Sequence, residues 1–202
     1  MNYCEIKECD IANGDGIRTS LFVSGCDRHC KGCFNPDTWD PNAGKLFDND
    51  ACGVLLTSLK KPWCRGLTLL GGDPFFPSNR SNISELLKKV RSEIKEFSTY
   101  TTIFGIDVLQ KDIWMYTGYL FEDLLKYEQE ENKKFSCQIV NDKVVTSSKP
   151  ILRYIDVLVD GPFIEEQKDL SLKFRGSANQ RIIDVQKSLK ENKVVLYYGR
   201  DK

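Results

Sequence analysis

The sequence lacks three features on which whole classes of protein depend. It contains a single histidine, His29, so acid–base catalysis by histidine is not expected. Its 29 Lys and Arg residues balance 29 Asp and Glu residues, so the chain has no excess positive charge that would indicate binding to nucleic acid or to an anionic membrane. No apolar run approaches the roughly 20 residues of a membrane span, and residues 1–8 lack the apolar core of a secretory signal. We therefore expect a cytoplasmic protein with neither nucleic acid nor membrane as a partner.

The length of 202 residues limits the fold. A closed eight-stranded β/α barrel takes roughly 250 residues, so any barrel formed by this chain is incomplete. Strand-like apolar runs alternate with helical patterns, which predicts βαβ units and a mostly parallel sheet. We therefore expect an α/β fold in a single domain that spans residues 1–202. The segments 97–110 and 129–149 have the weakest helical or strand patterns and are predicted to be insertions.

The core is predicted to combine four strands with three amphipathic helices. Residues 1–16 are expected to be irregular and to end in turn-forming glycines. The strands are predicted at 17–23, 66–70, 113–117 and 155–161. Asp48 or Asn49 is expected to cap the first helix, a capping box of Asn82 and Glu85 to open the second, and a third to follow the third strand. Weaker strand patterns are predicted at 135–140, 143–146, 181–185 and 193–198, the first two as a hairpin.

Cysteine is abundant, and three of the eight cysteines lie within eight residues of each other. Cys26, Cys30 and Cys33 directly follow the first predicted strand, which indicates a ligand-bearing loop. Because the chain is long and lacks a signal sequence, clustered thiols indicate a metal site rather than a disulfide framework. Three thiolates are one short of the usual four, so either another residue completes a zinc site, with His29 the local candidate, or one coordination position stays open. The other five are predicted to be buried or free thiols: Cys4, Cys9, Cys52, Cys64 and Cys137.

A glycine pair with an acidic residue follows the second predicted strand, in the order Gly71, Gly72, Asp73, Pro74. On its own this pattern is typical of a simple turn. Two glycines also allow a ligand to approach the backbone closely, because no Cβ intervenes. Since the carboxyl ends of parallel strands meet at one edge of a sheet, we expect this turn to lie beside the cysteine loop.

The motifs occur in an order that matches a known signature. That signature has a Gly-x-Gly-x-basic stretch, an aromatic residue on a strand, and then Gly-Cys-x3-Cys-x2-Cys. The residues that meet it are Gly14, Gly16, Arg18, Phe22, Gly25, Cys26, Cys30 and Cys33. The chain therefore resembles the radical S-adenosylmethionine superfamily, and within it the activases of glycyl-radical enzymes. Asp15 stands where proline is common, and Gly32 stands where many members have an aromatic residue, so Phe34 is expected to supply that packing.

Four further stretches narrow the resemblance. They lie at residues 38–39, 114–119, 156–161 and 175–181. Together they are similar to the activases that act on anaerobic ribonucleoside-triphosphate reductase, and the resemblance covers most of 1–127 and 150–200. Seen alone, 114–119 is more typical of core aromatics, 156–161 of a turn and 175–181 of a loop, so the argument rests on their order along the chain.

The resemblance implies a partial β/α barrel that carries a 4Fe–4S cluster and binds S-adenosylmethionine. Cys26, Cys30 and Cys33 would hold the cluster. The residues expected to contact S-adenosylmethionine are Gly32, Cys33, Phe34, Gly71, Gly72, Asp73, Thr117 and Asp160. A low-potential donor such as flavodoxin would supply an electron, and S-adenosylmethionine would be cleaved to a 5′-deoxyadenosyl radical. That radical would take a hydrogen atom from a glycine of the reductase large subunit.

Three other functions are also compatible with the sequence. One is a compact radical enzyme acting on a small molecule, similar to 7-carboxy-7-deazaguanine synthase, although no set of residues dedicated to a purine-like substrate is evident. Another is an activase of a different glycyl-radical enzyme, such as pyruvate formate-lyase. The third is a zinc-stabilised interaction module without catalysis.

Overall fold

The computed structural model describes residues 1–98, 100–103, 106–135, 139–140, 143–144 and 150–197. In that part of the chain, a seven-stranded mixed sheet is accompanied by four α-helices and two small strand pairs. The strands are β1 (Asn2–Asp10), β2 (Arg18–Val23), β3 (Lys45–Leu46), β4 (Gly66–Gly71), β5 (Tyr100–Ile103), β6 (Ile106–Leu109), β7 (Asp112–Tyr116), β8 (Ile139–Val140), β9 (Lys143–Val144), β10 (Val157–Asp160) and β11 (Arg181–Asp184). The helices are α1 (Asn49–Leu59), α2 (Arg80–Glu93), α3 (Phe121–Phe135) and α4 (Val185–Glu191). The prediction of an α/β fold is confirmed.

The main sheet has the strand order β11-β10-β7-β4-β2-β1-β3. Its four central strands β10, β7, β4 and β2 are parallel, whereas β1, β3 and β11 each pair antiparallel with a neighbouring strand, β2, β1 and β10 respectively. The prediction of a mostly parallel sheet was therefore wrong, because the sheet is mixed. Residues 11–17 are too few for the crossover of about a dozen residues or more that joins parallel strands, and residues 161–180 connect β10 to β11 without an α-helix.

Strand β1 is the largest element that the sequence pattern did not predict. Residues 1–16 were expected to be irregular, yet Asn2–Asp10 pairs with β2 over most of its length. The strand lies next to the sheet edge, and much of it is exposed or half-buried. Its exposed positions carry Glu5 and Lys7 together with Cys4 and Cys9, so it lacks the apolar run that identifies the central strands.

The helices form where the apolar periodicity predicted them, although one start differs. The Asp48 side chain caps α1 by accepting a hydrogen bond of 2.9 Å from the amide of Ala51. Helix α2 begins at Arg80, so Asn82 lies inside the helix and the expected capping box was wrong. Asn82 instead accepts a hydrogen bond from the amino terminus of the chain at 3.4 Å.

Apolar side chains are buried on both faces of the sheet, in a large cluster on one face and a small cluster on the other. Alternate residues of the central strands, among them Leu21, Leu69 and Met115, pack with α1 and α2 in the main apolar core. The opposite face carries a smaller cluster around Trp114, which contacts Phe174 of the connection between β10 and β11. Helices therefore cover one face, while an irregular segment covers part of the other and leaves room for a cavity.

Both segments predicted as insertions contain paired strands. Strands β5 and β6 pair within 97–110, and β8 and β9 pair within 129–149, on either side of residues 141–142, which lie outside the described residues. Their status as insertions stays a prediction. Among the described helices, none combines the length and apolar character that a membrane span requires.

Candidate functional site

A cavity of about 620 Å³ opens where the four parallel strands end. Each strand contributes residues that directly follow its last position. These are the cysteine loop after β2, the glycine turn after β4, Thr117 and Gly118 after β7, and Gly161 after β10. The far wall is residues 161–180, which we call the covering segment. The volume falls within the range of roughly 300–1,000 Å³ that is usual for small-molecule sites.

The cysteine loop is anchored by its own backbone. The amides of Gly25 and Cys26 donate to the carbonyls of Thr38 and Trp39 at 2.8 and 3.0 Å. All three thiols of the motif line the cavity. The amide of Arg28 donates to Sγ of Cys26 at 3.4 Å, and the Cys33 sulfur receives a matching bond. Such bonds stabilise negative charge on sulfur and tune the potential of a cluster.

The three thiols of the cysteine loop are not gathered as the ligands of one metal ion. Within the described ranges, no three Cys, His, Asp or Glu side chains converge as the ligands of one metal ion do. A structural zinc ion needs such convergence, whereas each thiolate of a four-iron cubane binds a separate iron. His29, the candidate fourth zinc ligand, stacks on Trp39 with 4.6 Å between ring centroids. Burial raises the pKa of the Cys26 thiol, which bound iron would counteract by stabilising the thiolate.

The glycine turn lies against the cysteine loop, as the sequence predicted. The amide of Asp73 donates to the carbonyl of Gly25 at 2.8 Å, and that of Gly72 donates to Val23 at the same distance. A Cβ atom at Gly72 would lie 2.5 Å from the Gly25 carbonyl oxygen, so a larger residue would push the two loops apart. Gly72 therefore has a packing role in addition to its place in the cavity lining.

Asp73 is a buried carboxylate that lacks a cationic partner among the described residues. Its Oδ1 accepts from the amide of Phe75 at 2.8 Å, and its Oδ2 accepts from the amide of Gly118 at 2.9 Å. The Thr117 hydroxyl donates to both oxygens at 2.9 and 3.0 Å. Despite these neutral donors, burial raises the pKa of Asp73 to about 6. A cationic group entering the cavity would therefore find an anion that the fold has left unpaired.

The other predicted cofactor contacts separate into two groups. Thr117 and Phe34 line the cavity, and Phe34 packs on Phe163 of the covering segment with 5.2 Å between ring centroids. Gly32 and Asp160 are not among the lining residues. Gly32 instead faces Glu165, whose Oε1 would lie 2.8 Å from an added Cβ.

Asp160 lies fully buried behind the cavity wall. It accepts from Nε of Arg181 at 3.0 Å and from the amide of Phe121 at 2.8 Å. Its carboxylate therefore joins β10 to β11 and to the start of α3. The expectation that Asp160 contacts a cofactor stays a prediction, and this geometry favours a structural role.

The basic residue of the glycine-rich stretch lies at the opposite end of the sheet. Arg18 is fully buried, and its guanidinium donates to Oδ1 of Asp112 at 2.7 Å and to the Leu67 carbonyl at 2.8 Å. A Cβ on Gly14 would lie 2.9 Å from the Arg18 side chain. This part of the signature holds the amino ends of β2, β4 and β7 together.

Two contributors to the site were missed from the sequence. Arg28 lies inside the cysteine loop and lines the cavity, and its positive charge next to the thiols is the sequence signal that could have identified it. The covering segment had no clear pattern, yet Glu165 forms an ion pair with Lys31 of the cysteine loop at 2.9 Å. That contact links residues more than a hundred positions apart, which no local pattern reveals.

Comparison with known proteins now identifies the family. The family model described as "4Fe-4S single cluster domain" matches residues 12–183. The protein named anaerobic ribonucleoside-triphosphate reductase-activating protein from Enterobacteria phage T4 is 38% identical over 184 residues, which cover 90% of this chain and 93% of that protein. The chain belongs to the anaerobic ribonucleoside-triphosphate reductase-activating protein family. Family members of the same name from Vibrio cholerae and Escherichia coli are 38% and 34% identical, covering 97% and 96% of their own lengths.

Membership in this activating-protein family agrees with the geometry. The matched domain is named for one 4Fe–4S cluster, and the described chain has one group of thiols that lines a cavity. The other described cysteines are free thiols elsewhere, with Cys4 and Cys9 exposed and Cys52 and Cys64 buried. Cys137 lies outside the described residues.

Proposed function

We propose that this chain is a radical S-adenosylmethionine enzyme that installs a glycyl radical on anaerobic ribonucleoside-triphosphate reductase. One observation carries the proposal: three thiols and a buried carboxylate, which has no cationic partner among the described residues, line the same cavity. The names of the relatives support the choice of the reductase as protein substrate.

The cluster would be held by Cys26, Cys30 and Cys33, and the donor set fits it. Three thiolates satisfy three irons of a cubane and leave one iron open to a further ligand. The backbone amides that point at the Cys26 and Cys33 sulfurs suit thiolate ligands. Burial at Cys26 keeps this sulfur partly shielded from water, which protects an oxygen-sensitive metal centre.

S-Adenosylmethionine would occupy the rest of the cavity. Asp73 would bind its ammonium group, because a carboxylate held by neutral donors gains most from a cation. Gly71 and Gly72 would let the ligand approach the backbone, and Phe34 would provide an apolar wall. When bound and reduced, the cluster and S-adenosylmethionine together supply one-electron cleavage and a radical able to take a hydrogen atom from glycine.

The residues of the chain would position the ligand and exclude competing reactions. Thr117 holds the Asp73 carboxylate in place, and the covering segment shields the cysteine loop through Phe163 and Glu165. We also propose that the sheet is an incomplete barrel whose open side admits a loop of the protein substrate. A low-potential donor such as flavodoxin would deliver the electron in the cytoplasm, where thiols such as Cys4 and Cys9 stay reduced.

The test combines the reconstituted, reduced protein with S-adenosylmethionine and anaerobic ribonucleoside-triphosphate reductase under strictly anaerobic conditions. Electron paramagnetic resonance should show a glycyl radical on the reductase only when all three components are present. Cys9→Ser is the matched control, because it removes an exposed thiol outside the cavity and should leave the signal intact.

Two results would contradict the proposal. One is the absence of a glycyl radical although cluster and S-adenosylmethionine are bound. The other is a radical that forms on pyruvate formate-lyase but not on the ribonucleotide reductase. Turnover of a small purine-like substrate without any reductase would instead favour the small-molecule alternative.

A further inference from the structure

Arg28 is held in a defined orientation on the wall of the cavity. Its guanidinium lies 3.9 Å from the centroid of the Tyr119 ring, and its Nε lies 3.8 Å from Oδ1 of Asp27. The Tyr119 hydroxyl donates to Oδ2 of Asp27 at 2.9 Å, which closes a three-residue clasp between the cysteine loop and the turn after β7. The stacked position fixes the long side chain before any ligand arrives.

The clasp places Arg28 beside the residue that also holds Asp73. The amide of Gly118 donates to Asp73 at 2.9 Å, while a Cβ on Gly118 would lie 2.7 Å from Cγ of Arg28. The Asp73 carboxylate and the aliphatic stem of Arg28 thus lie against the same glycine. Both side chains line the same cavity as the thiol of Cys26.

The charges of Asp73 and Arg28 are complementary to the two charges of an α-amino acid. An α-amino acid carries an ammonium and a carboxylate on one carbon, so it needs an anion and a cation close together. Asp73 is the buried anion, and Arg28 is the cation. A guanidinium that stacks through its face keeps its edge available for two parallel hydrogen bonds to a carboxylate. Within the described residues, its one ion pair is the 3.8 Å contact with Asp27.

We propose that Arg28 binds the α-carboxylate of the methionine part of S-adenosylmethionine, while Asp73 binds its ammonium group. This assignment rests on the proposed function and adds a second point of recognition to it. Arg28 is then a ligand-binding residue of the cysteine loop, although it holds no iron. Its role explains why Gly118 has no side chain, since any Cβ would displace the Arg28 stem from the wall.

The test measures equilibrium binding rather than turnover. Protein with its cluster loaded and oxidised is dialysed anaerobically against either S-adenosylmethionine or its decarboxylated derivative, in which hydrogen replaces the carboxylate. Arg28→Gln should weaken S-adenosylmethionine binding by about 10- to 100-fold, the range for a lost charge-assisted hydrogen bond. The same variant should change binding of the decarboxylated derivative by no more than about twofold, because that ligand has no group for Arg28. Arg28→Lys should bind S-adenosylmethionine more tightly than Arg28→Gln but more weakly than the wild type.

The matched control is Arg153→Gln, which removes another arginine that stacks on a tyrosine but lies outside the cavity. It should bind both ligands as the wild type does. Iron analysis of every variant accompanies the binding data. If Arg28→Gln is obtained without its cluster, the comparison is made with Arg28→Lys, whose loss should again be confined to the carboxylate-bearing ligand.

Two outcomes would overturn the role of Arg28 alone. Unchanged binding of S-adenosylmethionine by the Arg28 variants is one, and equal weakening of both ligands is the other, because it indicates a role in loop shape only. Failure of the cluster-loaded wild type to bind S-adenosylmethionine would overturn the proposed function itself, and with it this assignment. The two failures are therefore distinguishable.

Discussion

At the amino ends of the parallel strands the buried carboxylate of Asp112 pairs with two arginines, whereas at the carboxyl ends the buried carboxylate of Asp73 has only neutral partners among the described residues. Arg18 and Arg65 both contact Asp112, at 2.7 and 2.6 Å. At the other end, Asp73 accepts from a hydroxyl and backbone amides, and burial raises its pKa to about 6, as it does for Asp156, which pairs with Arg91. The same sheet thus carries a completed charge network at one end and an incomplete one at the other.

We interpret the paired charges at the amino ends as stabilising the fold, and the unpaired carboxylate at the carboxyl ends as suited to binding a ligand. A buried charge is costly unless a partner compensates it, so a protein that needs only a stable fold supplies the partner itself. Arg18 meets that condition through five hydrogen bonds to a hydroxyl, a carboxylate and three backbone carbonyls. Asp73 does not, which is what a site awaiting a cationic ligand requires.

The largest effect is expected at the cysteine loop. Replacing Cys26, Cys30 or Cys33 by alanine should abolish cluster assembly, because two thiolates cannot hold a cubane against loss to solvent. The apo protein should keep its free energy of unfolding to within about 0.5 kcal/mol, since these partly exposed thiols contribute little packing. Iron and sulfide analysis after anaerobic reconstitution measures the first effect, and full cluster content in any variant contradicts the ligand assignment.

The second effect belongs to the opposite end. Arg18→Met should lower the free energy of unfolding by about 3–5 kcal/mol, because it leaves Asp112 buried with one cation fewer. Urea denaturation of the apo protein measures it. Lys89→Met is the control, since Lys89 forms only a half-exposed pair with Glu93 and should change stability by less than about 1 kcal/mol. If Arg18→Met and Lys89→Met lower the free energy of unfolding by equally small amounts, the ion pair of Arg18 with Asp112 does not stabilise the fold as we expect.

A smaller effect is expected when the unpaired charge is removed. Asp73→Asn keeps the shape of the side chain but not its charge, and should weaken S-adenosylmethionine binding by about 10- to 100-fold. Equilibrium dialysis with cluster-loaded protein measures this. Asp156→Asn is an informative comparison, because the Asp156 side chain is only 11% exposed but already pairs with Arg91 at 2.7 Å, outside the cavity. Equal affinities of Asp73→Asn and the wild type would remove the contrast between the two ends.

The smallest effect is a dependence on pH. The pKa of Asp73 lies near 6 because burial outweighs its neutral donors, and the neighbouring charge of Asp27 raises it further. A bound ammonium favours the ionised carboxylate, so affinity should be level above pH 7 and should fall as the pH drops through 6. One proton is displaced per ligand, which limits the fall to about tenfold per pH unit. Asp73→Asn should lack this dependence, and a wild-type affinity that is constant between pH 5.5 and 7.5 would contradict the role of the carboxylate.

Parts of the fold were predictable because their physics is local. The cap at Asp48 and the apolar face of α2, with Ile83 and Leu87, follow from patterns within a few residues. Strand β1 was not predictable in the same way, since its pairing with β2 and β3 compensates for its exposed, charged sequence. The mixed sheet follows from those edge strands, whose direction depends on connection length rather than on composition.

The parts of the candidate site that directly follow a predicted strand could be located from the sequence. Cys26 and Asp73 each follow a recognisable strand, and parallel packing brings such ends together. The partners of Asp160 and Arg28 were not predictable, because Arg181 and Tyr119 reach them across 21 and 91 residues of chain. Contacts of that kind depend on the packed structure, so a motif alone cannot tell a buried structural carboxylate from one that awaits a ligand.

The most direct measurement of the difference between the two ends is the electron paramagnetic resonance spectrum of the reduced cluster with and without S-adenosylmethionine. If the ligand completes the carboxyl end, its addition should change the cluster spectrum of the wild type and of Arg18→Met alike. The change should require much higher ligand concentrations in Asp73→Asn. A cluster spectrum that S-adenosylmethionine leaves unaltered at saturating concentration would contradict the assignment of this end as the ligand site.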